Sequence, residues 1–202
     1  MLDPGHGGTD AGARGGSGIV EKDVAMSMAR VVQAQLERQG FRVVLTRQAD
    51  EDPSIDERAA LANAQRGAVF ISLHVSSIGP AGTAMAFYMP AAPPGESNPG
   101  SRNLSSPLVR WQDAQQSNVP QSRKLAELIQ IQLGQKLRGS AEVPQAVAVR
   151  QLRSVTAPAV AVELSSVAVA ERKLLDQAAP ALAEAVARAV ASYKAAYEAG
   201  AI

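Results

Sequence analysis

The sequence predicts an α/β domain in three layers, helix–sheet–helix, around a largely parallel mixed sheet of about six strands with helices on both faces. Three observations predict it. Short apolar runs alternate with longer segments of helical periodicity along most of the chain. The 202 residues suit one domain (1–202) with a sizeable core. The composition is 46% hydrophobic but 3% aromatic, so that core must be made of Ala, Val, Leu and Ile.

Met1 and Leu2 read as the remnant of a truncated first strand, because the turn Asp3-Pro4-Gly5-His6-Gly7-Gly8 is of a kind that normally follows one. A boundary cut explains such a start. Residues 21–39 carry Val24, Met28, Val31, Val32 and Leu36 at helical spacing, and Gly40 is placed to end that helix. Residues 41–46 read as a short buried strand. Ser54 and Glu57 form a capping-box signature ahead of a second helix over 55–66. Strands are expected at 68–74 and 83–89. Residues 90–122, rich in Pro, Gly, Ser and Asn, read as a surface insertion, a flexible rim loop with one short helix near 108–115. An amphipathic helix follows over 123–137, then strands at 147–152 and 159–164, and an Ala-rich closing helix over 180–197.

Composition also excludes. Net charge is +1, from 20 basic and 19 acidic residues, which suggests neither nucleic acid nor an anionic membrane as partner. Cysteine is absent, so there is no disulfide framework and no thiolate metal site. No apolar run reaches the about 18 residues of a membrane span, and no export signal is present in this chain.

Four polar residues stand at positions where ligands collect in such sheets. His6, one of two histidines, lies among glycines after the first strand. His74 ends the strand over 68–74. Glu163 sits near the end of an otherwise apolar strand, and Glu21 begins the first helix. Two imidazoles and one carboxylate make a catalytic zinc shell with an open position, and a second carboxylate beside it can take a proton from water. Zinc suits this set better than calcium or magnesium, while iron(II) accepts the same ligands. Each residue also has a plainer role. A strand-end histidine is ordinarily structural, and Glu21 suits the positive end of a helix dipole. Glu163 is harder to explain so, since an unpaired buried carboxylate costs several kcal/mol. Arg47 reads as structural, and Trp111 as packing onto the domain. The glycines do not make a phosphate loop, for no Gly-Lys-Ser/Thr or GxGxxG spacing follows.

The ordered motifs Leu2-Asp3-Pro4-Gly5-His6-Gly7-Gly8 with Asp10 and Gly12, Glu21-Lys22, Gly40-Phe41, Leu45-Thr46-Arg47, Arg58 with Ala62-Asn63, and Phe70-Ile71-Ser72-Leu73-His74 span the first part of the chain. Ser122 with Leu125-Ala126, Pro158-Ala159 and Val162-Glu163 follow. Together they resemble the zinc-dependent N-acetylmuramoyl-L-alanine amidases, the amidase type 3 family of peptidoglycan hydrolases, over essentially the whole chain. The resemblance implies that His6, Glu21 and His74 hold one Zn2+ per chain and that Glu163 is the catalytic carboxylate. It implies cleavage of the amide between the lactyl group of N-acetylmuramic acid and the L-alanine of the stem peptide. It further implies a monomer acting outside the cytoplasm (periplasm, cell wall or secreted), with an activator protein or a separate wall-binding domain as further partners in the full-length chain. This chain departs from the family at Ser76, where Asn is usual, and at Leu164-Ser165-Ser166-Val167 and Val169, where Gly-Phe and a later Asn are usual. Two alternatives follow: a non-catalytic peptidoglycan-binding domain keeping the fold, and a zinc peptidase cutting within the stem peptide.

Overall fold

The computed structural model describes residues 1–92 and 110–202. Nine elements of helix and strand build it: β1 (Leu2–Pro4), α1 (Glu21–Arg38), α2 (Ile55–Asn63), β2 (Phe70–Ser76), β3 (Ala84–Tyr88), α3 (Val119–Lys136), β4 (Gln145–Ala146), β5 (Ala159–Ser165) and α4 (Lys173–Glu198). Two 3₁₀ helices, Trp111–Asn118 and Arg150–Leu152, connect them. The strands form one sheet in the order β1-β2-β5-β3-β4. Three of its four pairings are parallel, and β3 runs antiparallel to β5. No helix among the described residues is long and apolar enough to cross a membrane.

The two-residue period of the strands sorts their side chains onto two faces. Leu2, Ile71, Leu73, Val75, Val160, Val162 and Leu164 face one way and pack against α1, α3 and α4 in the main core. Phe70, Ala159 and Ala161 face the other way, into a smaller core with Met1, Ala59, Ala62, Val155 and Leu152. Helices therefore cover both faces, unequally. The same alternation puts Asp3, Ser72, His74 and Glu163 on the side of the smaller core, at the carboxyl ends of three parallel strands.

α1 buries Val24, Ala25, Met28, Ala29, Val32 and Leu36 as one stripe and ends beside Gly40, whose φ of +83° suits glycine. In α2 the capping box is formed in both directions: Ser54 Oγ accepts from Glu57 N, and the Glu57 carboxylate accepts from Ser54 N.

The structure corrects four expectations. Five strands, not about six, are present among the described residues, because residues 41–46 pair only through a bridge of Leu45 with Leu2. Leu2 N donates to Val44 O and Thr46 N to Leu2 O, but the ladder stops at Pro4, which has no N–H to continue it. Residues 147–152 are not a strand. After Val147 bonds Tyr88 O the chain leaves the sheet edge, and a 3₁₀ turn drives Leu152 into the smaller core. The third helix begins at Val119, with Pro120 in its first turn, where the missing N–H is harmless. The closing helix begins at Lys173 and contains Pro180. Burial of Leu175 and Ala179 against the core outweighs the lost backbone hydrogen bond there. Of the expected 90–122 insertion, residues 93–109 lie outside the described residues. Its short helix is the 3₁₀ helix Trp111–Asn118, in which Trp111 Nε1 donates to Asp56 Oδ1 at 2.8 Å, onto α2.

Candidate metal centre

The turn after β1 brings His6 back over the sheet end with a φ of +59°, the one non-glycine residue with positive φ among the described residues. A non-glycine backbone persists there only if its surroundings enforce it. Two buried arginines do so. Arg47 donates to the carbonyls of Pro4 (2.9 Å), Gly5 (3.0 Å), Lys22 (2.9 Å) and Ala49 (3.0 Å). Arg58 donates to Pro4 O at 2.9 Å, His6 O at 2.8 Å and the carboxylate of Asp3 at 2.7 Å. Arg47 is thus structural, as its sequence position suggests. Close approach explains two of the glycines: a Cβ on Gly5 would enter the His74 ring, and one on Gly12 would lie 2.6 Å from both Glu21 Oε2 and His6 Cδ2.

The structure brings three of the four expected residues together. Ligand atoms of His6, Glu21 and His74 all lie within 4.8 Å of one another. His6 Nε2 is 3.1 Å from Glu21 Oε2, and His74 Nδ1 is 3.0 Å from Glu21 Oε1. The two rings meet edge to face with centroids 5.0 Å apart. Glu21 stands at the first position of α1, where the exposed N–H groups favour a carboxylate. Its oxygens also accept from Ala13 N at 2.8 Å and Val75 N at 2.9 Å, so the carboxylate is fixed from both sides. The remaining nitrogen of His6, Nδ1, lies 2.8 Å from Asp10 Oδ2, which turns Nε2 toward the cluster.

Burial alone would raise the Glu21 carboxyl, but hydrogen bonds from His6, His74 and the backbone of Ala13 and Val75 hold it far below the ordinary carboxylate range. His6 is pushed up to about 9, chiefly by its hydrogen bond to Glu21 and then by Asp10, against the opposing effect of burial. Both shifts come from the pairing of the Glu21 carboxylate with the imidazoles beside it. Two imidazoles and one carboxylate converging there suit zinc as donors.

Glu163 lies beside the cluster. Strands β2 and β5 pair with His74 directly opposite Glu163, and in a parallel pair those side chains share a face. Burial lifts the Glu163 carboxyl above its ordinary range; His74 opposes this, the Glu21 charge adds to it, and a hydrogen bond with Ser76 opposes it. Ser76, one of the departures from the family pattern, lies two residues beyond His74 on the same strand. An open groove of about 260 Å³ adjoins the cluster, with His6, His74, Asp52, Arg58, Arg150 and Gln151 among its walls.

Sequence reasoning singled out the ligand-type residues but assigned no role to Asp10, Asp3, Ser72 or Arg58. Asp10 sits four residues after His6. Ser72 sits two before His74 on the same strand face, and the register sets Asp3 beside Ser72. Those spacings are the signal that could have found them.

Comparison with known proteins gives three further findings. A family model described as N-acetylmuramoyl-L-alanine amidase matches residues 1–192. A relative from Neisseria meningitidis serogroup B, N-acetylmuramoyl-L-alanine amidase AmiC, is 33% identical over 155 residues, which are 66% of this chain and 37% of that protein; the chain thus spans little more than a third of that relative's length. Two solved structures share the fold over almost the whole chain. One is an N-acetylmuramoyl-L-alanine amidase from Clostridium difficile 630 (TM-score 0.70, 25% identity, 96% of this chain and 94% of that one). The other is AmiC2 of Nostoc punctiforme (TM-score 0.69, 26% identity, 96% and 94%).

Proposed function

Since the chain belongs to the N-acetylmuramoyl-L-alanine amidase family, we propose that it is a zinc-dependent hydrolase of the amide between the lactyl group of N-acetylmuramic acid and the L-alanine of the peptidoglycan stem peptide. The observation that carries this reading is the convergence of His6, Glu21 and His74 within 4.8 Å, with Glu163 in register beside His74. His6 through Nε2, His74 through Nδ1 and Glu21 through its carboxylate would hold one zinc ion. That ion supplies a Lewis acid, polarising a carbonyl and acidifying water at neutral pH.

The chain's own residues do the rest. Glu163, with its carboxyl lifted by burial, accepts the proton of the attacking water and passes it to the departing alanine nitrogen. Asp10 orients the His6 ring, and Arg47 and Arg58 hold the backbone beneath it. The groove walled by Asp52, Arg150 and Gln151 receives the substrate strand. On this reading the protein acts outside the cytoplasm, where its substrate lies, and we propose that it does so as a monomer. An activator protein or a separate wall-binding domain would be a further partner on this reading.

The departures at Ser76 and after Glu163 favour one second reading, a peptidoglycan-binding domain without activity. Metal content and muropeptide digestion of wild type, Glu163→Ala and His74→Ala separate the two. One zinc per chain with lactyl–alanine cleavage in wild type only, and zinc kept in Glu163→Ala but weakened in His74→Ala, is expected. Zinc without hydrolysis would leave the binding domain, cleavage within the peptide would make it a peptidase, and a folded wild type without zinc would overturn the reading.

A further inference from the structure

His74 Nε2 lies 3.1 Å from Ser72 Oγ, whose proton goes to Asp3 Oδ2 at 2.7 Å. The other oxygen of Asp3 accepts from Thr46 Oγ1 at 2.6 Å and from Arg58 Nη1 at 2.7 Å. Asp3 and Ser72 are both 0% exposed, so water cannot take the place of either. We propose that Ser72 and Asp3 are positioning residues that fix the proton of His74 on Nε2, and so commit Nδ1 to the metal.

The direction follows from counting donors. Burial alone would raise the Asp3 carboxyl, but the Arg58 charge and the hydrogen bonds from Ser72, Thr46 and Arg58 hold it ionised, so it can only accept. Ser72 Oγ is the sole donor found for Asp3 Oδ2 among the described residues. If the hydroxyl turned toward His74 instead, that buried carboxylate oxygen would lose its partner, which is costly. With its proton given to Asp3, Ser72 offers His74 a lone pair, and Nε2 must be the protonated nitrogen. Nδ1 is then the nitrogen whose lone pair is left for the metal, and it is the one facing Glu21. Arg58, which donates to both Asp3 and His6 O, ties this chain to the turn that carries the first histidine.

The inference rests on the zinc reading for its consequence but not for its geometry, and the test separates the two. Zinc affinity is measured by chelator competition in wild type, Ser72→Ala and Ser72→Thr, with the melting of each metal-free protein as a control for folding. The His74 Nε2–H resonance of the metal-free proteins is followed by NMR. Ser72→Ala is expected to bind zinc about 10- to 100-fold more weakly, to lose the protected Nε2–H resonance and to stay folded, and Ser72→Thr to recover most of the affinity. Wild-type affinity in a folded Ser72→Ala, or a His74 Nε2–H that exchanges freely in wild type, would overturn the proposal. A wild type that takes no zinc but keeps a protected Nε2–H, lost in Ser72→Ala, would leave the relay standing and remove the zinc reading instead.

Discussion

The two faces of β2 and β5 are made by alternate residues of the same strands, yet they do different things. On one face Ile71, Leu73 and Val75 meet Val160, Val162 and Leu164 in a core that α1, α3 and α4 cover. On the other, beyond Phe70 and Ala161, the strands carry Ser72, His74 and Glu163. The first face contributes burial, the second arranges charge. A sheet pleated this way can keep a rigid floor under a polar site without mixing the two, because every second residue is exempt from the chemistry.

That separation can be broken from either side. The largest effect is expected on the polar face: Glu163→Gln removes a proton acceptor while keeping its shape, and muropeptide hydrolysis should fall about 10²- to 10⁴-fold with zinc content unchanged. Activity near that of wild type would remove Glu163 from the reaction. On the apolar face, Leu73→Ala should lower unfolding stability by about 2–5 kcal/mol in urea titration while the folded fraction still binds zinc normally. A zinc site lost at low urea would mean that the faces are coupled after all.

Asp3 stands between these cases, a charge that acts through stability. Its folded pKa is depressed, so its contribution is present above the ordinary carboxyl pKa of about 4 and is lost as pH falls through the folded value. Wild type should therefore lose stability on acidification below about pH 4 more steeply than Asp3→Asn, as read by melting temperature against pH; parallel curves would show that the carboxylate contributes nothing. The smallest effect is local. Ser54→Ala removes the capping box of α2 and should cost about 1 kcal/mol, with slightly faster amide exchange in α2 and zinc affinity unaltered.

Much of this was legible in the chain. α1 and α2 are visible because their stripe and capping box are local signals, and β5 because an apolar run of its length has few other uses. The stretch over 147–152 misled because Val147 and Val149 alternate like a strand, while the sheet edge already ends at Ala146. Pro180 misled because a helix-start residue on propensity grounds sits inside α4, where packing on both sides overrides it. In the site, histidine is rare enough in this sequence to be noticed, and Glu163 conflicts with its apolar strand. Ser72 and Asp3 attract no notice, since a serine in a strand and an aspartate before a proline are ordinary. Their role exists only once register sets Asp3 beside Ser72 and burial removes water from between them.

The grip of Arg47 and Arg58 on the His6 turn has a consequence for how this loop can change over generations. Both guanidinium groups hold main-chain oxygens, those of Pro4, Gly5, His6, Lys22, Ala49 and Pro53, with Asp3 the one side chain they hold among the described residues. A carbonyl is the same whichever amino acid carries it. Neighbouring loop residues such as Ala49 and Pro53 are thus free to drift without moving the histidine, whereas neither arginine can become lysine, whose single ammonium cannot span the same set of oxygens.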